Sequence, residues 1–565
     1  MNLSMFNRSN FRNLIFTGLF VLAIAPGFFS DISIAEADTS YFYANSTADL
    51  GDINPGDGIC QASNWQCTLR AAIEENNALP ELHHEIHLPA GNYLLNNQLV
   101  LEESVSIFGA GKGVTIIDGQ GITEILHVKT QQGTSHLTVH LRDLTIQNGQ
   151  TTTAGGDSSG LHIDSGARVY LYDLVVQSNV SSEFGGGIQN HGILQIYNSE
   201  ILNNSLPFTG DSSTGGGIFN NGQLKLMHSL LAQNEAMHGG GIANTNEGLV
   251  RISNSTVSHN TSITGGGGIR NIDHGQVHIN HSTITQNTVN GSDSEEGVNR
   301  FGGGIYNEGE ASIRLGNSIL AGNHDGRIST DPEFSPDCFN ATIGKFSSRG
   351  HNIIGINSAS CYINGLPTDQ NGSGLTPLDP MLDSLANRVH MPLKGSPAID
   401  KGLTAPFSPS SQLIQSYYCV SLDQNFQKRA IDGDLNGESR CDIGAAEYVP
   451  DEYYEIVEAG FIGEKIGSLI ASFGSVQLGD ISKKQLEIIN NGEIPVEVKD
   501  LELPDGFETA DRFESFTLEP GEQGMLTILF NPADYGTYEE EMSLVIGESR
   551  FQWTLVGEAT KPDGR

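Results

Sequence analysis

Positive charge is scarce in this chain. Its 565 residues hold 29 Lys and Arg against 67 Asp and Glu, a formal net charge of -38. A phosphate backbone needs a basic surface, so nucleic acid is excluded as a partner. Solubility, salty surroundings or cation-dependent contacts fit this balance. No CxxC spacing occurs among the cysteines, which argues against a zinc site. No Lys-Ser/Thr pair follows any glycine run, which removes the phosphate-loop reading of those glycines. After the first forty residues no apolar run is long enough to span a membrane.

The opening residues carry Arg8 and Arg12, an apolar stretch from Leu14 to Ala25 and a small-x-small site at Ala35-Glu36-Ala37. This pattern predicts a signal peptide over 1–37 and an exported, soluble remainder with no integral span after cleavage. Export permits oxidation. The six cysteines fall into three sequence-local couples, Cys60–Cys67, Cys338–Cys361 and Cys419–Cys441. Fifteen pairings are possible, and these three are the expected disulfides.

What the chain has in plenty is a repeat. GGGIQN, GGGIFN, GGGIAN, GGGIRN and GGGIYN begin at Gly185, Gly215, Gly239, Gly266 and Gly302. Between them runs a second frame, centred on Asp143, Asp173, Asn198, His228, Asn254, His281 and Asn317. Two and four residues before each centre stand aliphatic side chains, for example Leu224 and Leu226, or Val250 and Ile252. Three residues after it stands another, and six after it, in all but the first unit, an asparagine: Asn179, Asn204, Asn234, Asn260, Asn287 and Asn323. Steps of two mean strands buried on one face. The change to a step of three marks a corner. Seven units at this spacing predict a β-solenoid with parallel coil-to-coil pairing, and the asparagines stacked at one corner. Glycine triplets then supply tight turns that bring Ile back inward. Loops before the glycines, 206–214 and 288–300, account for the uneven spacing.

Asn45-Ser-Thr-Ala-Asp49, Pro55-Gly-Asp-Gly-Ile-Cys60 and Cys67-Thr-Leu-Arg-Ala-Ala-Ile73 resemble the N-terminal cap of secreted right-handed β-helix proteins of the CSLREA type. Thr68 and Ala71 replace the Ser and Glu of that motif. Residues 68–77 read as an amphipathic helix that plugs the first coil, which would otherwise expose core and strand edges. Arg429 to Tyr448 (RAIDGDLNGESRCDIGAAEY) resembles the closing segment of the same proteins, called choice-of-anchor Q. The GGGI repeats are similar to those of chlamydial polymorphic outer-membrane proteins. From Asp451 onward Phe473-Gly-Ser-Val, Asn490-Asn-Gly, Leu518-Glu-Pro-Gly-Glu and Phe530-Asn-Pro-Ala read as strands between turns. This stretch resembles immunoglobulin-like domains of the ASH or choice-of-anchor D type, and its length suits a seven-strand sandwich. The resulting expectation is all-β: a right-handed single-stranded parallel β-helix over 38–449, a linker at 450–460 and an immunoglobulin-like β-sandwich over 461–560.

These resemblances imply a fold more than an activity. Secreted β-helices include polysaccharide lyases and hydrolases, whose chemistry needs a base with a carboxylate-neutralising cation, or paired acids. No cluster of three acids converging from neighbouring coils is visible, so no catalytic residue is assigned and the reading leans away from an enzyme. Arg270-Asn-Ile-Asp-His274 has suitable residue types but sits in a repeat turn. Asp432, Asp434 and Asn436, with Asp442 further on, fit the alternate oxygen ligands of a calcium loop. Asp52, Asn54 and Asp57 form a looser copy. Three residues before each centre stand His140, Tyr170, Gln195, Lys225, Arg251, His278 and Arg314. They alternate with the buried pair and so should face solvent in one column. Tyr170, Lys225, Arg251, His278 and Arg314 are the candidate glycan-binding set. The function expected is a secreted or cell-surface bacterial β-helix, adhesin-like or glycan-binding, whose partner is an extracellular polysaccharide or a host or cell-surface component. A secreted lyase or glycoside hydrolase acting on acidic polysaccharides is the alternative.

Overall fold

The computed structural model describes residues 39–560 apart from 81–82, 132–136, 152–158, 208–212, 291–300, 326–335, 342–344, 404–418, 421, 435, 437–438, 451–454, 459–468, 479–480, 490–494, 511, 520–521 and 547–548. The expected signal peptide lies outside the described residues, as does most of the expected linker. Among the described residues no helix is long and apolar enough to cross a membrane.

A single coil shows how the repeat region is built. Strand Gln223–Met227 alternates exposed and buried positions. His228 turns the corner, Leu230–Ala232 follows, and Gln233 turns a second corner. The glycine triplet then leads into Ile242–Asn244. The next coil repeats each strand in parallel register: Leu224 over Val250, Leu231 over Val257, Ile242 over Ile269. Stacked in this way, the chain forms a parallel β-helix with long all-parallel sheets. Every aliphatic residue flanking the seven centres is buried in one continuous core, including Leu226, Ile252 and Ile279. Helix Leu69–Ala78 is capped at its N-terminus by Thr68, whose hydroxyl accepts from Ala71 N–H at 3.1 Å. Its Leu69, Ala72 and Ile73 complete the first coil's core.

The centres owe their residue types to backbone geometry. Asp143, Asp173, Asn198, His228, Asn254, His281 and Asn317 all sit at φ between +44° and +58°. Among non-glycine residues Asn, Asp and His tolerate that left-handed region best. This explains His228 and His281 without any metal. In the glycine triplets the first residue also has positive φ, +80° at Gly215, and a Cβ on Gly216 would stand 2.4 Å from the Gly240 carbonyl of the next coil. Backbone from adjacent coils meets there too closely for any side chain.

Three polar rows run along the stack. In the first, the amide of each asparagine donates to the next: Asn179, Asn204, Asn234, Asn260, Asn287 and Asn323, each Nδ2–Oδ1 distance 2.9 Å. The row ends on Asp337, which accepts from Asn323 at 3.0 Å. The asparagines of the GGGI motifs form the second, Asn190, Asn220, Asn244, Asn271, Asn307 and Asn340. Serines build the third, Ser199 through Ser318, passing to Asn352 and then to Asp369.

The described residues of 429–448 fold back along the corner of the coils, where Arg429 reaches Asn254, Ala445 reaches Thr283 and Gly444 reaches Asn317. Arg429 is fully buried, and its guanidinium donates to Asn254 Oδ1 and to the carbonyls of Gly444 and Ala445. Glu447 lies 3.5 Å away and accepts from Ile431 and Asp442 N–H. The motif thus locks the segment to the solenoid. Beyond it, the described residues of the C-terminal domain form sheets of four and five strands, against the seven strands expected in all. Their core gathers Ile488, Val498, Leu526, Phe530, Leu544 and Leu555. Glu455–Glu458, within the expected linker, forms a strand paired with Ser482–Ile489.

Candidate functional site

Parallel register places the proposed outward set in one column. His140 pairs with Tyr170, Tyr170 with Gln195, Gln195 with Lys225, Lys225 with Arg251, Arg251 with His278, and His278 with Arg314. Lys225 and Arg251 are exposed and the others half-buried. Two positions further along each strand a second column runs Arg142, Tyr172, Tyr197, Met227. Period-two alternation put these residues outward as well, so the same rule would have found them in the sequence. Together the columns divide the face in two. The N-terminal half is aromatic: the His140 and Tyr170 rings stack at 4.7 Å, and Arg142 lies 5.2 Å over the Tyr172 ring. The C-terminal half is basic.

Among the described residues no carboxylate pairs with Lys225, Arg251 or Arg314. Other cations are committed elsewhere: Lys112 pairs with Glu200, and Arg388 reaches Asn198 and the His228 carbonyl. His278 sits between Arg251 and Arg314 and accepts from Arg314 Nη1 at 3.1 Å. Burial, then the neighbouring Arg314, Arg251 and Arg349, lower its pKa to about 4. A neutral imidazole therefore stands between two guanidiniums where a third positive charge would repel both at a coil spacing of about 4.8 Å.

The calcium loop assembles differently from its sequence reading. Asp432 and Asp434 converge with Asp400, their carboxylates within 4.8 Å of one another. Asn436 supplies its backbone N–H to Asp432 and Asp434. Asp442 uses both oxygens on the N–H groups of Asp400 and Tyr448. Burial raises the Asp400 pKa, and the neighbouring Asp434 and Asp432 charges add to it. Asp52 and Asp57 accept from the backbone of Asn54, Gln61 and Ile59. Arg270 lies over the Tyr306 ring, Asn271 belongs to the second polar row, and exposed His274 lies 3.3 Å from Glu310.

Cys60–Cys67 and Cys338–Cys361 are disulfides. Cys419 and Cys441, the third expected couple, are not bonded to each other in this structure. The Val420 carbonyl oxygen lies 3.6 Å from the Cys419 sulfur and the Leu403 carbonyl oxygen 3.9 Å from that of Cys441.

Residues 468–549 match the ASH family, described as abnormal spindle-like microcephaly-associated, ASPM-SPD-2-Hydin. Among solved structures the chain is similar to the ASH/PapD-like domain 7 of human CEP192, at 16% identity and TM-score 0.15, covering 17% of this chain and 84% of that one. It is similar to the Vibrio cholerae VesB protease at 16% identity and TM-score 0.14, covering 16% and 30%. Similarity to the PL6 family alginate lyase AlyGC is 12% identity and TM-score 0.18, covering 70% and 59%. No curated protein matches the sequence.

Proposed function

We propose that the chain is a secreted or cell-surface bacterial protein that binds acidic polysaccharide along the outward face of its β-helix without cleaving it. The observation that carries this reading is the column Lys225, Arg251, Arg314: in register, two of them exposed and one half-buried, and without acidic partners among the described residues, in a chain of net charge -38. Uronate or sulfate groups would supply the missing negative charge, and Tyr170 and Tyr172 offer flat faces to sugar rings. Exposed charges of this kind give weak, salt-sensitive binding. The CSLREA-like cap and choice-of-anchor-like closing segment, the two disulfides and domain limits near 38–449 and 461–560 support an exported β-helix carrying a separate sandwich. Calcium belongs to the same proposal, held by Asp400, Asp432 and Asp434, three hard oxygen donors that suit it.

The test is retention on an immobilised polyuronate at low salt, comparing the wild type with the triple variant Lys225→Gln, Arg251→Gln, Arg314→Gln. Loss of retention with unchanged folding supports the proposal, and equal retention removes it. Release of unsaturated sugars or new reducing ends by the wild type would establish the lyase or hydrolase alternative instead.

A further inference from the structure

On a different sheet from the basic column, two histidines and an aspartate come together. His127 lies in strand Leu126–Val128 and His162 in strand Leu161–Ile163, and the two are register partners on adjacent coils. Their strand neighbours Leu126, Val128, Leu161 and Ile163 are fully buried, which fixes the backbone on both sides. Asp164 follows two residues after His162, its own N–H tied to the Val128 carbonyl at 3.1 Å. One carboxylate oxygen, Oδ1, stands 3.0 Å from His127 Nε2 and 3.2 Å from His162 Nε2. The other, Oδ2, accepts from Thr130 N–H at 3.1 Å, which sets the carboxylate's rotation. The imidazole rings are tilted, 4.5 Å between centroids.

We propose that His127, His162 and Asp164 form a site for a borderline divalent cation such as Zn2+. The donor set is that of zinc, two imidazole nitrogens and a carboxylate oxygen, which leaves the fourth tetrahedral position to water or an exogenous ligand. The spacing supports it: bonds of about 2.0–2.1 Å arranged tetrahedrally put neighbouring donors about 3.3 Å apart, and the two Nε2–Oδ1 distances lie within a few tenths of that value. All three donor atoms fall within 4.8 Å of one another. The Thr130 contact holds a ligand from outside the coordination sphere, as metal sites require. To bind the ion each imidazole must present the Nε2 lone pair and carry its ring proton on Nδ1. Calcium is the wrong ion here, because it asks for oxygen ligands in larger number.

Titration of the full chain with zinc chloride, followed by calorimetry, tests the site. The wild type should show one saturable site. His127→Gln, at a half-buried position outside the aliphatic core, should weaken it at least tenfold, and His127→Gln with His162→Gln should abolish it. Asp432→Asn with Asp434→Asn should leave it unchanged. Cobalt(II) should give an intense visible absorption in the wild type that the His127→Gln variant lacks. Zinc binding equal in wild type and His127→Gln, absent from both, or lost in the Asp432/Asp434 variant would each overturn the proposal.

Discussion

Two columns of the β-helix obey one register and reach opposite results. Along the inner corner the same residue recurs on every coil, Asn204 on Asn234 on Asn260, because each amide must accept from one neighbour and donate to the next. Along the outer face the same stacking lets the residue change from Tyr170 to Gln195 to Lys225 to Arg251. Nothing in the backbone demands any of them. Repetition inside the stack therefore reports structure, and unforced variation outside it is where binding chemistry has room to develop.

The comparison can be broken most severely from within. Ile252→Asp buries a charge in the core and should abolish folding, while Ile252→Ala should cost about 2–5 kcal/mol, both read by denaturant unfolding. Asn234→Ala should cost about 4 kcal/mol, since it leaves the N–H and amide of Asn204 without their acceptor and the Ile201 carbonyl without a donor. The end of the row adds a pH dependence. Burial holds the Asp337 carboxyl up at about 6 against an ordinary 3.8, even though Asn323 and Ile356 N–H groups favour its charged form. The folded state then keeps a proton that the unfolded chain releases. Its stabilisation is full below about pH 4 and is lost as pH rises through about 6, on the order of 3 kcal/mol. Glu447, raised by burial to about 7, extends the fall upward, while Asp164, lowered by its histidine contacts against the effect of burial, runs the other way. Comparing unfolding of wild type and Asp337→Ala from pH 4 to 7 isolates the first contribution: the variant should be less stable but show the shallower slope.

Calcium in hundredfold excess over its dissociation constant should stabilise the fold by about 2.7 kcal/mol. Equal melting with calcium and with excess chelator would dispose of that site. At the small end, the triple Gln variant of Lys225, Arg251 and Arg314 should change stability by less than about 0.5 kcal/mol, as exposed positions do. Its only large effect should be on polyuronate retention.

Much of the inner column was legible in the sequence because its constraints are local. Aliphatic residues at fixed offsets and an asparagine six residues on can be read within a dozen positions. The reason for Asp, Asn or His at the centres was not legible, since it lies in a positive φ that no side-chain pattern announces. Asp400 escaped notice because it joins Asp432 and Asp434 from a loop with no period. His127 and His162 were missed because their strands are three residues long, too short for alternation to show. Lys225 and Arg251 were found because they share a frame with the buried pairs around them.

Asp337 and Asp369 also bear on how such a protein changes length. An asparagine in the row donates to one neighbouring coil and accepts from the other, so any number can be inserted without leaving an unmatched group. An ionised aspartate accepts on both sides: Asp337 takes Asn323 on one oxygen and Ile356 N–H on the other, and once its proton is lost has nothing to pass on. Duplicating an internal coil such as residues 239–265 should therefore be tolerated, lengthening the outward face by one step. A copy placed beyond Asp337 would meet a row that has already closed. Gene duplication in this molecule has a permitted zone, and a carboxylate marks its far boundary.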